Sequence, residues 1–373
     1  MGAAIGWHEV LAWRMRRQFL TGEGASSVEE VVRRLVAVPS WSGDAELAIG
    51  VRMRHPHPGS VAAAFAQGRV VKTFAFRGSM NYLAPEDAGV SLALRAAGRQ
   101  WELKSWREYY RLEPADWPPL RAAVRDALSA GPLSQHELAA VIVRDARFSH
   151  LGAAFTDTSC TFLKPFAWQG DLSLGVPRDG ALMLQSPTVA AGWSGVVELE
   201  EAGPEAVRAY LSAYGPASAD HLQYWLGEGL SAGRKRIAGW IARLRGAEIV
   251  TVDVEGDELL CLADQVDALA TKPGSGSGPA PAAGAVRLLP GLDPWILGAG
   301  TADEHIVPPG RRGEFSRGAN PVLIDGRVAG TWRIAADRLA VSPFSGARPP
   351  AAVETECGRL SEALGREIRF DGA

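Results

Sequence analysis

Two segments of the chain repeat a frame that restricts its fold more than any other feature. "GPLSQHELAAVI", from Gly131, and "GPASADHLQYWL", from Gly215, share the order Gly-Pro-x-Ser-x-x-(Glu/His)-Leu. In each, an amphipathic helical pattern ends at Gly-Pro. Ser134 or Ser218 then stands where a serine caps the next helix by accepting a backbone N–H. Ser134 with Glu137 completes a capping box. After the second copy comes a further helical pattern, "GRKRIAGWIARLRGA", and then "EIVTVDVEGDELLCLA", two alternating strands about Glu255-Gly256-Asp257 that predict a β-hairpin. Helices followed by a hairpin make a winged helix. The first copy ends in the same way, with short strands in "FAWQGDLSLGV" and "GALMLQS".

A third unit is predicted at the N-terminus. Ser26 and Ser27, with Glu29 and Glu30 three residues on, cap "VEEVVRRLVAV". The helical pattern breaks at Pro39-Ser40-Trp41-Ser42-Gly43 and resumes in "DAELAIGVRMR". "RVVKTFAFRGSMNYLA" then reads as strand, a break at Arg77-Gly78, and strand. The tandem units fall at residues 2–88, 118–187 and 204–269. "TKPGSGSGPAPAAGA", residues 271–285, has the composition of a flexible loop. Beyond it, "VRLLPGLDPWILGAG", "NPVLIDGRVAGTWRI" and "RLAVSPF" read as strand-like, with Asp325-Gly326 a hairpin turn. They predict a small β-barrel or open sheet closed by a helix over about 353–365. The fold class is therefore α+β: winged helices at 1–110, 111–200 and 201–270, a loop at 271–285, and a β-rich, barrel-like domain with a terminal helix at 286–373.

With 47% hydrophobic and 22% charged residues, the 373-residue chain has ample material for several cores. No apolar run approaches the ~20 residues needed to cross a bilayer. The first residues carry their charges after their apolar positions, the reverse of a secretory signal. A cytoplasmic protein without a membrane partner is expected. Cys160, Cys261 and Cys357 are too far apart in sequence to suggest a disulfide framework or a metal knuckle. His55 and His57 in "HPHPG" lack the further ligands that zinc needs, so no metal is expected.

The net charge of −3 decides nothing about nucleic acid, but its distribution is uneven. Basic residues bunch at Arg14-Arg16-Arg17, Arg33-Arg34, Arg234-Lys235-Arg236, Arg243/Arg245, and Arg311-Arg312 with Arg317. A solvated helix face explains any one bunch. Winged helices dock on duplex DNA or on other proteins, and tandem copies on one chain can line a single duplex, each phosphate contact adding a salt-dependent increment of affinity. Trp13, Trp101, Trp106, Trp225, Trp240, Trp295 and Trp332 lie in apolar patterns and are expected in cores. Trp41 lies in a polar turn, where core and exposed placements are both open.

The sequence resembles the AlkZ/YcaQ group of tandem winged-helix DNA glycosylases over nearly its whole length. The residues that carry the likeness are "VVRRLVAV", "VVKTFAFRGSMNYLAPEDA", "AYLSAYGPAS", "LLPGLDPWILG" and "PVLIDGRVAGTWR". The resemblance implies three winged-helix units in a C-shape that holds duplex DNA, a monomer that needs no cofactor, and excision of bulky N7-alkylguanine adducts or crosslinks made by DNA-reactive natural products. An N7-alkylated guanine is already cationic, so the departing base needs little acid catalysis. The enzyme has mainly to stabilise an oxocarbenium-like sugar and position a water.

The sequence departs from that family where water is handled. The family's Gln-x-Gln is replaced by Pro39-Ser40-Trp41, and the histidine of its Arg-Gly-Thr-Leu-His wing by Asn81. Asp44, Ser40, Trp41 and Asn81 are the candidate catalytic residues. Asp44 would polarise water, Ser40 and Asn81 would hold it, and Trp41 would stack on an exposed base or fill the space beside an adduct. Asp44 is equally placed to favour a helix N-terminus, and Glu46 to pair with a base such as Arg77. Arg34, Arg77, Arg234, Lys235, Arg236, His305, Arg311 and Arg312 are the candidate DNA contacts. Three readings fit: a glycosylase with a changed site, a lesion-binding or regulatory DNA-binding protein without catalysis, and a structural relative with no DNA role.

Overall fold

The structure, a computed structural model, describes residues 5–41, 44–229, 231–270, 284–344 and 352–370. It divides into two compact units, one of Met1–Ala63, Val207–Trp225 and Ala238–Ala373, the other of Ala64–Ala206 and Leu226–Ile237. The three winged helices appear along the chain as the expected successions. The first runs Val28–Leu35, Val38–Pro39, Ala45–Gly50 and Ser60–Ala66, then strands Val71–Phe74 and Met80–Leu83. The second runs Trp117–Leu128, Leu133–Ser134, Gln135–Ile142 and short helical turns to Lys164–Trp168, then strands Ser173–Arg178 and Ala181–Gln185. The third runs Leu199–Tyr214, Ala219–Leu222 and Arg234–Leu244, then strands Ile249–Val254 and Asp257–Leu262.

In the first unit the capping logic holds in detail. Ser27 accepts from the Glu30 amide and Ser218 from the His221 amide. The third wing turns at Glu255 (φ 53°) and Gly256 (φ 96°), two successive left-handed residues of the kind that match the twist of a two-residue hairpin. Ala217 exchanges backbone hydrogen bonds with Leu260, which supplies the short strand that a winged helix sets beside its wing. The C-terminal sheet has the order Arg369–Phe370, Arg338–Pro343, Arg327–Ala335, Asn320–Ile324, Val286–Leu288. It is open rather than closed, and the helix Ala352–Leu364 covers it through Val353, Leu360 and Ala363. Its hairpin turns at Asp325-Gly326, where a Cβ on Gly326 would lie 3.0 Å from the Trp295 ring and 3.1 Å from Leu11.

One expected strand is a helix. "LDPWILG" forms Pro294–Ala299, because Asp293 caps it by accepting from the Trp295 amide and proline at the first position brings a φ already suited to a helix. Only Val286–Leu288 of that stretch is strand. Of the expected loop at 271–285, residues 271–283 lie outside the described residues. The amides of Gly284 and Ala285 donate to the Asp325 carboxylate.

In the second unit, five strands run Met80–Leu83, Val71–Phe74, Ser173–Arg178, Ala181–Gln185, Leu133–Ser134, so the wings of the first two winged helices form one sheet. Ser134 and Glu137 make the predicted reciprocal capping box. Trp117, Phe155, Phe162 and Phe166 form the aromatic core, with ring centroids 5.1 to 5.9 Å apart. Trp101, Trp106, Trp225, Trp240, Trp295 and Trp332 are buried as expected, whereas Trp13 is half-buried under the guanidinium groups of Arg16 and Arg17. All three cysteines are buried and free. No helix among the described residues is long and apolar enough to cross a membrane.

Candidate functional site

In the first unit the candidate turn begins where the helix Val28–Leu35 stops. Val36 has φ 67° and ψ −43°. For a β-branched residue this backbone is strained, at a cost on the order of 1–3 kcal/mol, and such strain persists only where the surroundings impose it. The Tyr214 hydroxyl donates to the Leu35 carbonyl at 2.7 Å, immediately before it. Val38 and Pro39 are buried, and the buried Ser40 hydroxyl oxygen has no hydrogen-bond partner among the described residues. Trp41 follows with 39% of its surface exposed, so the indole is not a core residue. Ser42 lies outside the described residues. Asp44 is exposed and is the N-cap of Ala45–Gly50, its Oδ1 accepting from the Leu47 amide at 2.9 Å. The helix-start expectation for Asp44 is met, and its carboxylate is exposed.

Two basic bunches that are separate in sequence meet in this unit. Arg17 donates to Ser212 through its carbonyl (3.2 Å) and hydroxyl (2.7 Å), and Arg34 donates to the same hydroxyl at 3.2 Å. Burial, and then the charge of Arg34, brings the Arg17 guanidinium down to about 10. A site that packs two cations on one hydroxyl is suited to an anion. Ser212 was not readable as a partner, because it stands 178 residues from Arg34.

His305, a candidate DNA contact, has partners within the first unit. Its ring stacks on Trp7 at 3.5 Å, Nδ1 lies 3.1 Å from Asp303, and Nε2 lies 3.7 Å from Asp257 on the third wing. Asp257 also accepts from the Trp7 indole and Glu255 from the Trp7 amide, so the acidic tip of this wing clamps the start of the helix Trp7–Arg17. Arg311 is paired with Glu314 at 2.7 Å and lies 4.4 Å over the Phe344 ring, while Arg312 is exposed at the first position of Arg312–Ser316.

In the second unit Asn81 is buried within the first wing, its amide nitrogen donating to the Ser79 carbonyl (2.9 Å) and hydroxyl (3.2 Å). It pairs across the strands with Thr73, and the pairing of Lys72 with Leu174 puts Thr73 beside Ser173. Asn81, Thr73 and Ser173 thus form a buried polar row across three strands, and neither the Thr73 nor the Ser173 hydroxyl has a partner among the described residues. Sequence alternation alone could have flagged Thr73 as a polar residue on an inward face. Arg77 takes a left-handed conformation (φ 53°) at the break and pairs with Glu228 at 3.3 Å. Glu46, of the first unit, accepts from the Ser60 hydroxyl (3.3 Å) and Val61 amide (3.2 Å), a structural role at the start of Ser60–Ala66. Arg95, not singled out in the sequence, stacks 4.2 Å from the Trp168 ring, and burial lowers it to about 10. Arg234, Lys235 and Arg236 are exposed at the start of Arg234–Leu244.

Residues 32–363, which include the Ser40–Asp44 stretch, the first wing and the LDPWILG motif, are matched by the family described as DNA glycosylase AlkZ-like. The chain belongs to this AlkZ-like family. It is 35% identical over 369 residues to an interstrand DNA cross-link repair glycosylase of Streptomyces sahachiroi, covering 96% of each chain. Its structure is similar to that of Streptomyces sahachiroi DNA glycosylase AlkZ, with a TM-score of 0.88 and 34% identity, over 98% of this chain and 100% of that one. As an AlkZ-like protein it has DNA as its partner.

Proposed function

We propose that the protein is a monofunctional glycosylase that removes bulky N7-alkylguanine adducts of a DNA-reactive natural product from duplex DNA, in repair or in self-resistance of a producing cell. It acts as a cytoplasmic monomer. The observation that carries this reading is a run of five sequence positions, whose described residues offer an orphaned buried hydroxyl at Ser40, an exposed indole at Trp41 and an exposed carboxylate at Asp44.

The chemistry suits a cationic leaving group. As the glycosidic bond lengthens, guanine N7 ceases to carry positive charge and the sugar acquires it. Asp44 offsets that charge and polarises the attacking water, a stronger effect than the amide of glutamine provides. The Ser40 hydroxyl completes its hydrogen bonding with that water, and Asn81, buried in the first wing, is a separate candidate for holding water. Trp41 stacks where the adduct distorts the duplex. Arg34, Arg77, Arg234, Lys235, Arg236 and Arg312 hold phosphates, and Arg311 and His305 contribute secondarily, given their other partners.

The alternative is a lesion-binding or regulatory protein without catalysis. Its support is that the family resemblance puts Pro39 and Trp41 at the positions of the family's glutamines and that one Asp44 oxygen is already used in capping. Incubation with duplex bearing a bulky N7-guanine adduct separates the two. The glycosylase leaves an alkali-labile abasic site, and Asp44→Asn lowers the rate at least about tenfold. Tight salt-dependent binding with no abasic product across a broad adduct panel would establish the binder.

A further inference from the structure

Leu35 and the helix Ala45–Gly50, on either side of Ser40 and Trp41, are each tied through an intermediary side chain to one short helix far along the chain. On the incoming side, Tyr214 donates to the Leu35 carbonyl at 2.7 Å, one residue before the strained Val36. The Tyr214 ring lies directly against Gly298, where a Cβ would come within 2.1 Å of it, and the neighbouring Tyr210 donates to the Gly298 carbonyl at 2.8 Å. Burial holds the Tyr214 phenol well above its ordinary range, so the group keeps the proton it donates.

On the outgoing side, Asp293 caps the same helix, Pro294–Ala299, and both its oxygens receive Arg52, from Nη2 at 2.6 Å and Nη1 at 2.8 Å. Arg52 Nη1 also donates to the Ala48 carbonyl at 2.6 Å, which ties the pair to the helix Ala45–Gly50 that begins at Asp44. Both side chains of this ion pair are fully buried. The helix itself is anchored to the C-terminal sheet by Trp295, whose indole donates to the Gly326 carbonyl at 3.0 Å.

We propose that Tyr214 and the Arg52–Asp293 pair are positioning residues, which hold Leu35 and the helix Ala45–Gly50 to the Pro294–Ala299 helix and thereby set where Ser40, Trp41 and Asp44 stand. As an account of catalysis this rests on the glycosylase reading above. As an account of the turn's conformation it stands without it. Three of the groups involved come from a single "DPWILG" run: Asp293 holds Arg52, Gly298 packs against the Tyr214 ring, and Trp295 anchors the helix to the sheet.

The test is Tyr214→Phe, which keeps the ring and removes one hydroxyl, with Gly298→Ala as a second variant that displaces the ring without touching the turn. Amide hydrogen exchange of Ala37, Val38, Ser40 and Trp41 should quicken by roughly tenfold in both, with exchange in Ala352–Leu364 unchanged. Single-turnover base release from nitrogen-mustard-treated duplex should slow by roughly 10- to 100-fold, with the Kd for that duplex held within about twofold. Wild-type exchange in the turn and wild-type release in Tyr214→Phe would overturn the proposal. So would a slower rate accompanied by equally weakened binding and faster exchange throughout the C-terminal sheet, because that signature marks general loosening. If the wild-type protein releases no base, the glycosylase reading fails, and the exchange measurement still decides the positioning role.

Discussion

Asp44 caps a helix, and two substitutions separate that role from the catalytic one proposed for it. Asparagine caps a helix about as well as aspartate, whereas alanine loses about 1 kcal/mol at such a position. Asp44→Asn should therefore keep the melting temperature while losing the carboxylate's catalytic effect, and Asp44→Ala should lose both. Equal release rates in wild type and Asp44→Asn would leave the aspartate as a cap alone. The residues of the turn were readable because the chain brings them together locally: proline breaks the helix, serine and aspartate mark its resumption, and the indole has no apolar periodicity to join. Ser212 and Tyr214 were not readable, since they act on Arg34, Arg17 and Leu35 through contacts that no local pattern encodes. His221 adds a pH term of definite sign. Burial lowers its pKa below 6.5, against the pull of Asp303 and Asp220 and with the push of Arg14 and His305. The unfolded chain thus takes up a proton at a pH where the folded chain does not. Stability should fall as pH drops below about 6.5, until the lower folded pKa is reached. Thermal melts between pH 7.5 and 5 should show this slope, and His221→Gln should flatten it.

At the scale of elements, caps and hairpin turns were the reliable signals, because each rests on a backbone requirement that few residues meet. Ser27, Ser134 and Ser218 cap as expected, and the turns at Glu255-Gly256 and Asp325-Gly326 have the required left-handed pairs. The LDPWILG motif misled because its apolar run is too short for periodicity to separate helix from strand. The deciding residues, Asp293 and Pro294, were a helix-start signal in plain view. Asp293 also carries a stability prediction. Asp293→Ala leaves Arg52 buried without its carboxylate, which should cost about 3–5 kcal/mol in a urea titration. A loss below about 1 kcal/mol would mean that Arg52 finds another carboxylate or water, and that the pair is not a fixed brace.

For the whole molecule, a net charge of −3 hides the arrangement that bears on DNA. The structure ranks the basic residues that composition could only count. Lys235 and Arg312 are exposed, whereas Arg311 is already committed to Glu314 and Phe344. Lys235→Gln and Arg312→Gln should each reduce the slope of log K against log salt for duplex binding by about 0.9. Arg311→Gln should change it less. Equal slopes in all three variants would remove these positions from the DNA contact set.

Gly298 has a practical consequence for anyone mapping this protein by random mutagenesis. Selection for cells sensitised to a DNA-alkylating drug would return substitutions at this glycine, since any side chain there must displace Tyr214. On a linear map such hits would sit more than two hundred and fifty residues from the turn and would suggest a second functional centre near the C-terminus. They would instead be reporting on Leu35 and Val36.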